Sequence, residues 1–382
     1  MAKLGRKLRL GMVGGGPGAF IGGVHRVAAR LDDHFELVAA ALSSDPEKSM
    51  AYGKELMISR SYGSYEEMAS TESTLPDRID AVAIVTPNNM HFPIAKTFLA
   101  AGIHVMCDKP MTISLSEANE LAAQVRSTGL LFGLTHTYSG YPMVRQMRDM
   151  VQSGSIGKVR TVAVEYAQGW LATAIEASGA KQAEWRTDPA RSGPGGCLGD
   201  IATHAFHLAC FTTALTAEAI SCQLQTFVSG RRLDDNVQAM LRFEGGAVGS
   251  LWASQVAIGD ENNLNIRIYG EKGSLSWHQE NPNYLQFTPL AEPTRTLTRG
   301  GPSASPSAIA STRLVFGHPE GYFEAFGKLY SDFAELIRAL LEDRDPNPMA
   351  NLLPSCDDGV LGLKFIEAAL SSSQAGGSWI RI

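Results

Sequence analysis

At 382 residues the chain is long for a single core, and 44% hydrophobic with 19% charged residues is the composition of a soluble protein able to bury two. A formal charge of −6, with no basic run interleaved with aromatic residues, excludes a general nucleic-acid footprint and leaves small molecules as the expected partners. The five cysteines form no Cys-x-x-Cys pair or zinc-like spacing, no apolar run approaches the roughly 20 residues of a membrane helix, and the basic start over 1–10 lacks a signal core; a reduced, cytoplasmic protein without bound metal is expected.

Residues 8–13 are a short apolar run, Gly14-Gly15-Gly16-Pro17-Gly18-Ala19 follows, and helical spacing sets in over 20–31. Gly14, Gly16 and Ala19 fit G-x-G-x-x-G/A, in which glycines let the backbone approach a pyrophosphate and the helix start, here Phe20, offers its N–H groups. The same turn would also serve as a plain tight connection. The next strand, 35–42, ends at Ser43-Ser44-Asp45, where dinucleotide-binding sheets carry the acidic ligand of the ribose. Asp45 is that ligand or the cap of the following helix; no arginine follows to pair a 2′-phosphate, which favours NAD over NADP.

Ser64 to Glu67 reads as a capping box, and the apolar strand 81–85 stops at Thr86-Pro87-Asn88-Asn89-Met90-His91. Thr86, Pro87, Asn88 and His91 either present polar groups at the carboxyl edge of a sheet or form an ordinary turn and cap. A helix over 94–101 and an apolar run over 103–106 lead to Cys107-Asp108-Lys109-Pro110, and a second capping box at Ser114 opens a helix over 115–126. Lys109 therefore stands on the edge where open parallel sheets bind ligands, unless it is a solvated loop lysine. With a strand over 130–135, residues 1–138 are expected to form a Rossmann-type, doubly wound parallel α/β sheet.

From 139 to 382 the pattern changes. Runs at 158–168, 219–228, 235–243, 247–254, 264–269 and 274–278 read as strands, with hairpin turns at Gly245-Gly246 and Glu271-Lys272-Gly273. Strands without intervening helices predict an α+β domain on an open antiparallel sheet flanked by helices, one face left for a second copy in a homo-dimer or homo-tetramer. Residues 289–311 read as a surface excursion, and 322–341 and 357–370 as helices. Between the early strands, Trp185-Arg186, a glycine run and Asp200-Ile201-Ala202-Thr203-His204 place Asp200 and His204 at i and i+4, on one helix face. A carboxylate and an imidazole so placed orient a hydroxyl and accept its proton; alternatively Asp200 is a cap and His204 a core residue.

Taken in this order the motifs resemble the glucose-fructose oxidoreductase / inositol dehydrogenase / MocA (Gfo/Idh/MocA) family over essentially the whole chain. The carriers are the glycine turn, Thr86-Pro87-Asn88 with His91, Asp108-Lys109-Pro110 where the family commonly has Glu-Lys-Pro, and Asp200-Ile201-Ala202-Thr203-His204 for its Asp-Ile-Gly-x-His. Asp108 is one methylene shorter than the usual glutamate. The resemblance implies an active site between a dinucleotide-binding and a substrate domain, oxidising a secondary alcohol of a sugar, polyol or related cyclic substrate. His204 is then the expected proton acceptor, Lys109 the group on the same oxygen and the runner-up base, and Asp200 the holder of an adjacent hydroxyl. Tyr166, Gln168, Trp185 and Arg186 are the further substrate candidates, their aromatic and hydrogen-bonding groups suiting a polyhydroxylated ring. The alternative is a sugar-responsive NAD(P)-binding regulator without turnover.

Overall fold

The structure is a computed structural model describing residues 4–382; residues 1–3, part of the start read as lacking a signal core, lie outside the described residues. The chain divides into two units. The first runs to Gly140 and takes back Tyr322–Val360; the second is Tyr141–Gly321 with Leu361–Ile382.

In the first unit, β1 (Leu8–Gly14), α1 (Phe20–Leu31), β2 (Phe35–Ala41), α2 (Pro46–Glu55), β3 (Arg60–Ser61), α3 (Tyr65–Glu72), β4 (Ala81–Val85), α4 (His91–Ala100), β5 (His104–Cys107), α5 (Leu115–Thr128) and β6 (Phe132–Leu134) alternate. The strands form a parallel sheet in the order β3-β2-β1-β4-β5-β6. Strands covered on both faces need no polar alternation, and all five residues of β4 are buried. The expected caps form: Asp45 on α2, Ser64 on α3 and Ser114 on α5 each accept N–H groups of the first turn.

The second unit contains α6 (Pro142–Gln152), β7 (Val159–Ala167), α7 (Lys181–Arg186), α8 (Pro189–Ser192), α9 (Thr203–Thr213), β8 (Ala217–Gln225), β9 (Asn236–Phe243), β10 (Val248–Ser254), β11 (Asn263–Gly270), β12 (Gly273–His278), β13 (Tyr284–Pro289), β14 (Arg295–Thr298) and α10 (Pro306–Ile309). α11 (Tyr322–Leu341) returns to the first unit, α12 (Cys356–Gln374) spans the division at Val360, and β15 (Ile380–Arg381) ends the chain. The sheet order is β14-β13-β12-β11-β7-β10-β9-β8-β15; β7 pairs β10 in parallel and the remaining pairs are antiparallel. Val162, Val164 and Tyr166 of β7 and Leu264, Ile266 and Ile268 of β11 lie on the buried face, while Gln238, Met240 and Arg242 of β9 are exposed on the other.

Two expectations need correction. A single boundary at 138/139 does not describe the chain, because Phe326, Leu329, Tyr330, Phe333 and Ile337 of α11 complete the core formed by Leu8, Leu10, Met12, Val24 and Phe35. Periodicity announces an apolar face but not the core that receives it. The excursion at 289–311 is also more ordered than expected: it carries β14 and α10, and Arg299, 3% exposed, pairs with Glu320 at 2.9 Å and donates to the carbonyl of Leu314 at 2.7 Å.

Candidate active site

Strand order in the first sheet reverses between β1 and β4, and the crevice outside the carboxyl ends at such a switch point is where dinucleotides bind. The sequence puts its glycine turn at the end of β1 and Thr86 at the end of β4. Gly14 has φ +79°, and a Cβ there would lie 2.4 Å from the carbonyl oxygen of Val85. A Cβ on Gly16 would lie 2.8 Å from the Tyr52 ring and 2.9 Å from the carbonyl oxygen of Leu42, so the turn stays bare backbone. The close approach of helix to turn is made by Gly22, a residue outside the G-x-G-x-x-A spacing, whose Cβ would meet the Gly15 oxygen at 2.1 Å.

Ala19 is the extended N-cap of α1, which begins with no side-chain cap and no acidic residue in its first turn. Phe20 beside it is 70% exposed. Thr86 Oγ1 is buried without a hydrogen-bond partner. Uncapped N–H groups at a helix start and an orphaned hydroxyl at the switch point are what a nicotinamide dinucleotide would satisfy, so the residues fit that cofactor.

At the end of β2, Asp45 accepts the N–H groups of Glu47 and Lys48 and pairs with Lys48 at 3.2 Å, so it is a helix cap; these hydrogen bonds from Lys48 first hold its carboxyl below the usual range. Its own N–H donates to Ser43 Oγ, and Ser44 is exposed. His91 is fully buried, with Nδ1 2.7 Å from the carbonyl of Pro110 and Nε2 3.0 Å from that of Thr86. It ties the two loops at the sheet edge together, and burial holds its pKa down. Pro87 is half-buried and Asn88 buried in the same loop; Lys109 is half-buried after β5, and Pro110 buried.

Asp108, next to Lys109, accepts from Thr135 Oγ1 at 2.5 Å and lies 3.2 Å from Nε2 of His25. Burial opposes its ionisation, but the His25 ring and the Thr135 hydroxyl bring its pKa down to about 2.

In the second unit Asp200 and His204 do not share one regular helix, contrary to expectation. Asp200 sits in a π turn, Leu198–Ala202, and His204 in the first turn of α9. Asp234, far from any motif, accepts the N–H groups of Gly196 and Leu198 with its two carboxylate oxygens, each at 2.7 Å, and so holds the start of that turn. Single π turns inside helices recur at functional sites because they redirect side chains.

Asp200 Oδ2 accepts from the buried Gln255 at 2.8 Å and faces Arg186 Nε at 3.3 Å. Arg186 lies over the Trp185 ring at 4.3 Å and over the exposed Trp170 ring at 6.0 Å. Trp170 donates to Gln168, Gln168 and the Tyr166 hydroxyl both donate to Asn262 Oδ1, and the Tyr166 ring stands 6.3 Å from that of His204. Tyr166, Gln168, Trp185, Arg186, Asp200 and His204 thus form one connected cluster. Gln255, Asn262, Trp170 and Asp234 complete it unforeseen: Gln255, Asn262 and Asp234 pair with residues distant in sequence, and Trp170 joins through Gln168 and the Arg186 side chain.

Comparisons with known proteins bear on the family and the fold. Residues 8–136 match the family described as "Oxidoreductase family, NAD-binding Rossmann fold", and residues 144–276 the "GFO/IDH/MocA C-terminal domain". The uncharacterized oxidoreductase YfiI of Bacillus subtilis (strain 168) is 35% identical over 99% of this chain and 97% of its own. An oxidoreductase from Sinorhizobium meliloti is 48% identical, covering 98% of this chain and 99% of that one with a TM-score of 0.89. An inositol dehydrogenase homolog from Azotobacter vinelandii, solved with NAD+ and, separately, with NADH and myo-inositol, is 34% identical over 99% of this chain and 98% of that one, with TM-scores of 0.94 and 0.91. By fold, edge chemistry and sequence, this chain belongs to the GFO/IDH/MocA family of NAD-binding oxidoreductases.

Proposed function

We propose that this NAD-dependent oxidoreductase oxidises a secondary hydroxyl of a neutral, cyclic polyhydroxylated substrate, such as a sugar or a polyol ring. The connected cluster around Asp200 and His204 carries the reading: it offers a proton acceptor, a fixed carboxylate and aromatic faces in one unit. The bound nicotinamide supplies the hydride acceptor, at C4 of its ring.

His204 takes the hydroxyl proton, for which it must come within about 3 Å of the oxygen. Lys109 donates to the same oxygen and stabilises the negative charge that develops there. Asp200, kept in orientation by Gln255 and Arg186, accepts from a neighbouring hydroxyl. Arg186 is already engaged with Asp200 and stacked on Trp185, which favours a neutral substrate over a carboxylated one. The indole of Trp170 suits the C–H face of a ring. On the cofactor side, the Asp45 carboxylate, fixed by α2, and Ser43 and Ser44 are assigned to the ribose, and Thr86, Pro87 and Asn88 to the edge beyond it.

The reading extends to assembly and location: a second copy pairs through the exposed face of the second sheet, and the protein works in the cytoplasm. Among the described residues no helix is long and apolar enough to cross a membrane.

The test is absorbance of reduced nicotinamide while the protein meets NAD and a panel of cyclic polyols, sugars and anhydrosugars. Lys109→Ala should lose on the order of 100-fold in kcat; a loss below about threefold would remove Lys109 from the mechanism.

A further inference from the structure

We propose that His25 and Tyr330 are positioning residues for the Asp108-Lys109 turn: a buried hydrogen-bonded chain from Tyr330 through His25 fixes the Asp108 carboxylate and thereby the presentation of Lys109 to the alcohol. The inference rests on Lys109 acting in the reaction as proposed above. His25 comes from α1, Tyr330 from α11, Asp108 from the end of β5 and Thr135 from the end of β6, so four elements of the first unit converge on one carboxylate.

His25 Nδ1 lies 2.7 Å from the Tyr330 hydroxyl and Nε2 3.2 Å from Asp108 Oδ1, with His25 at 0% and Tyr330 at 1% exposure. A carboxylate only accepts, so Nε2 carries a proton and donates to Asp108, while the Tyr330 hydroxyl, able to donate or accept, holds Nδ1 on the other side of the ring. The Asp108 N–H donates to Ile84 O, and the Thr135 N–H to Cys107 O, so the main chain of the turn is held as well.

Joining α1 to α11 does not call for these polar groups. The two helices already meet through apolar residues of the core, and Phe326 packs edge-on against the His25 ring at 4.7 Å. Burying an imidazole, a phenol and a carboxylate costs free energy that apolar side chains of equal size would not, so packing alone gives no reason for them. A reason appears at the turn itself: the carboxylate that the His25 ring reaches at 3.2 Å belongs to the residue directly before Lys109.

The chain holds the turn and moves no proton. Burial opposes ionisation of Asp108, yet His25, Thr135 and His91 bring its pKa to about 2, while burial and the nearby Asp108 push the Tyr330 hydroxyl well above its usual range. The titratable groups around Asp108 are His25 from α1, His91 from α4 and Tyr330 from α11, with Cys107 and Lys109 beside it in the chain. Without His25, burial prevails and Asp108 takes up a proton at a higher pH.

The experiment is steady-state kinetics of His25→Ala, His25→Gln, Tyr330→Phe and Lys109→Ala at saturating NAD, over roughly pH 5 to 9, using the best substrate of the panel. His25→Ala should lower kcat about tenfold or more with little change in KM, and should add an acid limb to the one that protonation of the His204 base gives the wild type. His25→Gln, whose amide N–H can reach Asp108, should recover most of the rate and remove the added limb; Tyr330→Phe should lose about threefold.

If Lys109→Ala is inactive while His25→Ala and Tyr330→Phe keep the wild-type kcat and pH profile, the positioning role is wrong and the assignment of Lys109 stands. If Lys109→Ala turns over like the wild type, that assignment fails and this inference with it. Should His25→Ala not fold, His25→Gln and Tyr330→Phe decide, and unchanged profiles in both overturn the proposal.

Discussion

A methyl group added at Gly22 would land 2.1 Å from the carbonyl oxygen of Gly15 and 2.5 Å from its Cα, whereas one added at the adjacent Gly23 would meet only the tip of Arg26 at 4.0 Å. Both residues lie in α1, so both alanines gain up to about 1 kcal/mol of helix propensity. At Gly22 that gain is outweighed, because backbone must move and overpacking of this kind costs roughly 1–3 kcal/mol. Gly22→Ala should therefore weaken NAD binding about tenfold or more and lower the unfolding midpoint, while Gly23→Ala leaves affinity unchanged and stability equal or higher. Titration with NAD and denaturant melts of both variants check this, and equal behaviour of the two would show that the turn tolerates displacement of α1. The positions of Gly14 and Gly16 in the turn after β1 and of Lys109 after β5 were legible in the sequence because spacing and the ends of apolar runs carry that signal. Gly22, His25 and Gln255 were not, since each is defined by a partner that the local pattern does not name.

The helices and strands were largely readable as elements, and their surroundings were not. Period 3.6 announced α11 over 322–341 without revealing that Leu8, Met12 and Phe35 receive it, and β13 and the edge strand β14 escaped because short, half-exposed strands alternate too weakly to be seen. The π turn carrying Asp200 was hidden for a related reason: it depends on Asp234, which lies 36 residues or more away from its hydrogen-bond partners. Burial raises the Asp234 pKa to about 6 despite its two N–H donors. Against an ordinary 3.8, that shift is about 3 kcal/mol disfavouring the ionised form. The folded state thus binds this proton more tightly than the unfolded chain, so the contribution is favourable below pH ~4 and is lost as pH rises through about 6. Asp234→Asn carries no such ionisation. Measured by denaturant unfolding, the variant should gain on the wild type between pH 4 and 7, by up to about 3 kcal/mol less the cost of the N–H group it turns toward one donor. A stability difference that stays flat across that range would mean that the two N–H groups keep Asp234 ionised throughout. The catalytic consequence is separate: a loosened π turn should reduce kcat through Asp200.

At the scale of the whole molecule the open question is what meets the exposed face of the second sheet. Register places Val248 opposite Arg242, Ser250 opposite Met240 and Trp252 opposite Gln238 on that face, continued through Ala163 and Glu165 of β7 to Arg267 and Tyr269 of β11. Met240 is 58%, Val248 48% and Tyr269 43% exposed, a grouping of large apolar side chains that isolated surface residues do not make. The alternation in 235–243 and 264–269 made the two faces legible in the sequence, but alternation cannot tell water from a second protein as the outer neighbour. A face running across several adjacent strands can supply the roughly 800 Å² per partner of a stable interface, and pairing a sheet with its own copy satisfies the two-fold rule that a patch contact itself. Light scattering at micromolar concentration should accordingly give at least twice the mass of one chain. Met240→Arg would bury a charge at the centre of the contact, a cost of several kcal/mol without a partner, and should shift the population to single chains at the same concentration while the folded spectrum is kept. A wild-type protein that runs as one chain, or a variant whose mass does not change, would assign this face to water and leave each chain to act alone.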